Sequence, residues 1–133
     1  MTEAERWLAF ADEDLQMAAL AMSQDIPRQA CFHAQQAVEK ALKGLLQTRI
    51  GTYPKSHVLE ELLLYHPQTR EELRSWRDAC RELDAFYIPT RYPDALPGLL
   101  PGGDEPSEAD AARAVQGARG IVADIRHCLG RRQ

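Results

Sequence analysis

The sequence predicts an all-α protein with four long antiparallel helices in an up-and-down bundle. One short helix and a long Pro/Gly-rich loop before the last helix complete the predicted fold. Apolar residues recur at intervals of three and four along these segments, and no segment shows the sustained alternation of a strand. The length of 133 residues fits one domain spanning 1–133.

The first two predicted helices have clear start signals. The first runs from about Thr2 to Ser23, where Thr2 and Glu5 have the spacing of a capping box. Its apolar stripe consists of Trp7, Ala11, Leu15, Ala18 and Met22. The second begins near Pro27, whose fixed φ suits a first helical turn, and runs to about Arg49. Its stripe consists of Ala34, Val38, Ala41, Leu42 and Leu45.

The remaining helices follow a turn at 51–54. Ser56 is the predicted cap of a short helix that carries Leu59, Leu62, Leu63 and Leu64. Thr69 opens the next helix, which ends before Pro89 because proline cannot donate to the helical ladder. This helix is predicted to bury Leu73, Trp76, Cys80, Leu83 and Tyr87. Ser107, with Asp110 three residues on, opens the last helix, for which Gly130 is the predicted stop.

The segment 88–107 separates the last two helices and has an unusual composition. It holds five of the eight prolines and three of the eight glycines. A loop of about twenty residues inside a compact domain is unusual, and such loops are often functional or mobile.

Composition excludes several classes of protein. The net charge of −4 argues against binding to duplex DNA, which requires many basic residues on one face. The three cysteines lack metal-ligand spacing and lie in helical patterns, so we expect reduced, mostly buried thiols. No apolar run spans a membrane, and no signal peptide or glycine-rich phosphate loop is found. We therefore expect a cytoplasmic protein without metal or cofactor.

Two basic groups are candidates for binding an anion. Lys40 and Lys43 lie three apart on the second helix, so both could reach one phosphate; the alternative is a solvated helix face. Ser56 and His57 lie at a predicted helix start, where amide groups attract anions. The alternative for His57 is packing against the loop.

A third candidate is the run from Tyr87 to Asp94. Two prolines stiffen the backbone around Arg91 and Tyr92, which suits phosphate recognition or base stacking. The alternative is an ion pair between Arg91 and Asp94 that fixes the loop. Asp14, at the edge of the first apolar stripe, requires a partner, for which Arg91 and Lys40 are candidates.

Three stretches together resemble the HEPN family of helical bundles associated with nucleotides and RNA. They are the run from Ala34 to Lys43, the Ser56-His57-x-Leu59 motif, and Arg91-Tyr92-Pro93-Asp94. Trp7 and the Asp14-Leu15 pair are also similar to the family pattern. The resemblance covers nearly the whole chain in the family's order.

The resemblance implies four main helices plus a short one, commonly as a homodimer. Some members pair with a minimal nucleotidyltransferase, often as a toxin–antitoxin module, and others are metal-independent ribonucleases with an Arg-x4–6-His motif. Here Arg91 has no histidine at that spacing. Arg28 and His33 have the spacing but lie on the second helix, outside the family's position, so we interpret them as coincidence.

These observations lead to three hypotheses. The first is an accessory domain that binds a nucleotide or single-stranded RNA, with no catalytic residue. Its ligand-binding residues are Lys40, Lys43, His57, Arg91 and Tyr92, and its orienting residues are Glu39, Asp94 and Asp14. The second is an endoribonuclease in which His57 or His33 transfers protons and Arg91 binds phosphate. The third is a dimerisation scaffold without a ligand.

Overall fold

The structure, a computed structural model, is all-helical over the residues it describes, which are 1–91 and 105–131. Side-chain positions are described in these ranges except at 88–91. The long helices are α1 (Glu3–Ser23), α2 (Pro27–Ile50), α5 (Arg77–Arg91) and α6 (Glu108–Gly130). Two short helices, α3 (Leu59–Leu64) and α4 (Pro67–Glu72), and a 3-10 turn at Arg74–Trp76 lie between α2 and α5. The prediction of an all-α fold is confirmed.

Ion pairs at the helix ends define the directions of the long helices. Arg28 at the start of α2 pairs with Glu105 just before α6 (3.3 Å). At the opposite end of the bundle, Glu72 binds both Arg49 near the end of α2 (2.5 Å) and Arg131 just after α6 (2.9 Å). The helices α2 and α6 therefore run in parallel. A three-residue connection makes α1 antiparallel to α2. Trp76, just before α5, bonds Asp124 near the end of α6, and Glu82 of α5 bonds Arg113 near the start of α6, so these two helices are antiparallel as well.

Helix α2 is the centre of the bundle, since it packs against α1, α5, α6 and α3. Every residue of its predicted stripe is fully buried. Two polar residues of α2 are buried as well: Gln35 is fully inaccessible to solvent, and Glu39 is only 5% exposed. Gly51, with φ of 73°, ends the helix in the left-handed conformation that glycine adopts without steric cost.

The last helix begins with its predicted capping box, whereas the first forms only half of one, because the Glu5 carboxylate accepts from the Thr2 hydroxyl (3.2 Å) and not from the Thr2 amide. The Thr2 hydroxyl accepts a hydrogen bond from the amide of Glu5 (3.1 Å). At α6 the Ser107 hydroxyl accepts from the Asp110 amide (3.0 Å), and the Asp110 carboxylate accepts from the Ser107 amide (2.9 Å). The amide of Ser107 and the Arg113 guanidinium lower the pKa of Asp110, because both stabilise its ionised form.

The capping prediction for the short helix was wrong. Ser56 accepts from the amide of Val58 (3.0 Å), and no side chain of the local segment caps α3. Asp84 of α5 does so instead, accepting from the amides of Leu59 (2.8 Å) and Glu60 (3.1 Å). A carboxylate at a helix start satisfies amides that have no partner within the helix.

The predicted helix from Thr69 to Tyr87 is interrupted. Thr69 lies inside α4, where its buried hydroxyl accepts from Arg49 of α2 (2.9 Å) instead of capping a helix. Helix α5 then begins at Arg77 and continues through Pro89 to Arg91, beyond its predicted end. Proline's φ is compatible with a helix, and Pro89 removes only one ladder hydrogen bond, the one that its missing amide would donate to the carbonyl four residues earlier.

Two further predictions concern burial along α5. Phe86, and not Tyr87, is the buried aromatic residue, because Tyr87 lies at the edge of the apolar stripe. The three cysteines are free and buried, as predicted, and burial raises the pKa of Cys31 and of Cys80 to about 12.

The predicted loop 88–107 lies largely outside the described residues. Residues 88–91 belong to α5, and 92–104 lie outside the described residues. No helix in the described part of the chain is long and apolar enough to cross a membrane. The cytoplasmic location stays a prediction.

Two glycines of α6 provide a matched test of packing. A Cβ at Gly120 would lie 2.6 Å from Cη2 of Trp76, whose indole is fixed by a 2.8 Å hydrogen bond to Asp124. A Cβ at Gly117 would meet no described atom within 4 Å. We expect Gly120→Ala to lower the free energy of unfolding by about 1–2 kcal/mol, since overpacking exceeds the gain in helix propensity. Gly117→Ala should raise it by about 0.5–1 kcal/mol.

Urea denaturation followed by circular dichroism measures both values. Equal stabilisation by the two alanines would contradict the close packing of Trp76 on Gly120.

Candidate functional site

Polar side chains of α2 lie along the edge of the bundle that faces α1, α5 and the α2–α3 connection. His33, Gln36, Lys40 and Lys43 are three or four residues apart and therefore share one face of the helix. Two carboxylates, Asp14 of α1 and Glu39 of α2, bind these side chains.

Asp14 binds one lysine and one histidine of α2. It is only 7% exposed, and its two oxygens contact Nδ1 of His33 (2.9 Å) and Nζ of Lys40. Lys40 was predicted as a partner of Asp14, and His33 was not. A buried carboxylate without such partners would carry a large desolvation cost.

Glu39 forms a second group of the same composition. Its Oε2 lies 2.9 Å from Nζ of Lys43 and 3.0 Å from Nδ1 of His57. The Lys43 ammonium also lies over the ring of Tyr53, 5.6 Å from its centroid. We call Asp14, His33, Lys40, Glu39, Lys43 and His57 the polar site.

The carboxylates determine which nitrogen of each histidine carries the proton. An ionised carboxylate only accepts hydrogen bonds, so Nδ1 donates in both His33 and His57. Nε2 of each ring then has no hydrogen-bond partner among the described residues. The side chain of His57 is 66% exposed and that of His33 is 20% exposed. Both rings can therefore present Nε2 to a ligand, His57 more openly.

Two aromatic rings, those of Tyr87 and Phe32, connect the two histidines. His57 is stacked on Tyr87 with 11° between the ring planes and 5.8 Å between centroids. Tyr87 is stacked on Phe32 (26°, 6.2 Å), and Phe32 meets His33 edge to face (5.2 Å). We call these four residues the aromatic row.

The backbone of His57 is fixed from inside the bundle. The fully buried amide of Gln35 donates from Nε2 to the carbonyl of His57 (2.8 Å) and to Oδ1 of Asp84 (3.4 Å). Burial raises the pKa of Asp84, partly opposed by hydrogen bonds from the amides of Leu59 and Glu60. The placement of His57 thus depends on α2, α3 and α5 together.

The charges of the polar site balance when the imidazoles are neutral. Two carboxylates compensate Lys40 and Lys43, so the pair of lysines does not form the uncompensated positive patch that spacing alone suggests. Protonation of His33 or His57 at Nε2 adds one positive charge each. The attraction for an anion therefore depends on the histidines and on any further basic residue nearby.

The structure brings most predicted site residues together. Lys40, Lys43, His57, Glu39 and Asp14 form one surface. Arg91 is the last residue of α5, but its side chain, like Tyr92 and Asp94, lies outside the described residues. Arg28 pairs with Glu105 while His33 binds Asp14, so their spacing does not produce one site.

Sequence reasoning missed Gln35, Phe32 and Tyr87 as parts of this surface. Tyr87 was predicted only as a core residue or as the start of a loop motif. The seven-residue interval between His33 and Lys40 was the available signal for His33, since residues at that interval share a helix face. Within the described ranges no group of three metal-ligating side chains is found.

Comparison with known proteins identifies the class of this helical bundle. The family model for the HEPN domain matches residues 4–128, and the chain belongs to the HEPN family. The structure is similar to that of TT1696 from Thermus thermophilus, with 34% identity, a TM-score of 0.82, and coverage of 96% of this chain and 98% of that one. No curated protein matches the sequence significantly.

A second similar structure is that of ST0689, described as an archaeal HEPN homologue. It has 31% identity and a TM-score of 0.74, with coverage of 96% of this chain and 98% of the other. Both similarities extend over the whole bundle, so the long helices and the polar site lie within the shared fold.

The pairing of Lys43 with Glu39 can be tested by a double-mutant cycle. Lys43→Met leaves the buried Glu39 carboxylate with less compensation, and we expect a loss of about 2–4 kcal/mol in the free energy of unfolding. The double variant Glu39→Gln, Lys43→Met should recover part of this loss, because no unpaired charge remains. Urea denaturation of the four proteins gives the coupling energy, and strictly additive losses would contradict the pairing.

Proposed function

We propose that this protein binds the phosphate of a nucleotide or of single-stranded RNA at the polar site. The observation that carries the proposal is the repeated arrangement of a buried carboxylate holding one lysine and one histidine. Membership of the HEPN family supports a role related to nucleotides or RNA.

The arrangement suits an anion because its donors are positioned before the ligand arrives. Asp14 and Glu39 restrict the lysine and histidine side chains, so less conformational entropy is lost on binding. Each ammonium has three protons and uses one on its carboxylate, and each imidazolium has Nε2–H available. In this proposal Arg91 and Tyr92 complete the binding surface, and Asp94 orients Arg91.

The proposal includes partners. Exposed apolar side chains lie on α1 at Phe10, Met17 and Leu20, and the first two flank Asp14 by about one turn on either side. This surface supports a homodimer, since monomers rarely expose contiguous apolar residues without a use. A minimal nucleotidyltransferase, as in a toxin–antitoxin module, is the proposed heterologous partner.

Binding of a labelled eight-nucleotide single-stranded RNA, measured by fluorescence anisotropy in EDTA, tests the proposal. Lys40→Met and Arg91→Ala should each weaken binding about tenfold, because each removes a positive charge from the phosphate site.

Arg126→Gln is the matched control, because this exposed arginine pairs with Asp12 on another surface. It should bind as the unmodified protein does. Equal affinity of all four proteins would refute binding at the polar site, and absence of binding would favour the dimerisation scaffold.

A second candidate function is metal-independent RNA cleavage. The observation in its favour is that two histidines each have Nδ1 held by a carboxylate and Nε2 available. One neutral imidazole would take the proton of the ribose 2′-hydroxyl as that oxygen attacks phosphorus. The imidazolium formed in this step would then give its proton to the departing 5′-oxygen, so that a 2′,3′-cyclic phosphate forms.

Gel analysis of the same RNA in EDTA distinguishes the two functions. If the protein is a ribonuclease, products ending in cyclic phosphate should accumulate, and His57→Ala or His33→Ala should slow cleavage at least a hundredfold. If the RNA stays intact while it saturates the protein, the protein binds RNA without cleaving it.

A further inference from the structure

His57 is an exposed ring that is nevertheless held in place. Its Nδ1 donates to Glu39 (3.0 Å), its carbonyl accepts from Gln35 (2.8 Å), and one ring face lies on Tyr87. With these contacts made, 66% of the side chain is still exposed. The ring face turned away from Tyr87 is therefore open to solvent.

An open, immobilised aromatic face is the feature on which nucleobases stack in proteins that bind single strands. Tyr87 and Phe32 continue the stack behind His57 and support its ring on the side opposite to the open face. A base within a duplex already has both faces covered by neighbouring bases and cannot occupy this position without being unstacked.

We infer that an unpaired nucleobase stacks on the outward face of His57, at the open end of the aromatic row. The inference rests on the proposed function, since it places the base of the ligand whose phosphate binds at the polar site. His57 and Lys43 share the Glu39 carboxylate, so the stacking face and the cationic groups belong to one surface. The ligand class is then a nucleotide or a single strand, recognised through base and phosphate together.

Titration calorimetry with AMP and with ribose 5-phosphate separates the contribution of the base to the affinity from that of the phosphate. AMP should bind about tenfold more tightly, because stacking of one base on an aromatic ring contributes a factor of roughly five to 150. In His57→Ala the difference between the two ligands should disappear. His57→Phe keeps a ring for stacking and should retain most of the difference.

His127→Ala is the control, since this exposed histidine lies on α6 and outside the aromatic row. A 2-aminopurine nucleotide gives a second readout, because its fluorescence is quenched on stacking, and His57→Ala should abolish the quenching. Equal affinity of AMP and ribose 5-phosphate would overturn the inference and leave phosphate binding intact. If neither ligand nor the single-stranded RNA binds, the proposed function fails and the inference fails with it.

Discussion

The enclosure of α2 by four other helices is the constraint on which the rest of the structure depends. A helix that is buried on nearly all sides cannot leave polar side chains to water, so Gln35 and Glu39 must find partners inside the protein. Glu39 obtains a lysine from its own helix and a histidine from the connection to α3. Gln35 fixes the same connection through its backbone. The need to satisfy buried polar groups thus builds a surface with open histidine nitrogens beside the core.

The sequence predicted the helices whose boundaries depend on local signals. Helices α1 and α6 start where Thr2 and the Ser107–Asp110 pair bond amides of their own segments, and such bonds are visible in a short window. The segment between α2 and α5 was less predictable because distant residues determine it. Thr69 has the sequence position of a cap but bonds Arg49, and α3 is capped by Asp84, which is 25 residues away from Leu59.

The candidate site was predictable to a similar degree. Lys40 and Lys43 share a helix face by spacing alone, and Asp14 was identified as a carboxylate that needed a partner. The binding of both Lys40 and His33 by one carboxylate could not be foreseen, because it depends on the rotation of α1 relative to α2 that brings Asp14 into contact with both side chains. The stacking of His57 on Tyr87 depends on how α5 crosses the α2–α3 connection, and the spacing of residues in the sequence does not predict that crossing.

The capping of α3 by Asp84 links the motion of two segments. Asp84 and Tyr87 lie on the same part of α5; one holds the first amides of α3 and the other supports the ring of His57. A displacement of this part of α5 would release the start of α3 and the histidine ring in one step. The hydrogen-exchange protection of the Leu59 and Glu60 amides should therefore change together with the position of the His57 ring, although these amides do not contact that ring.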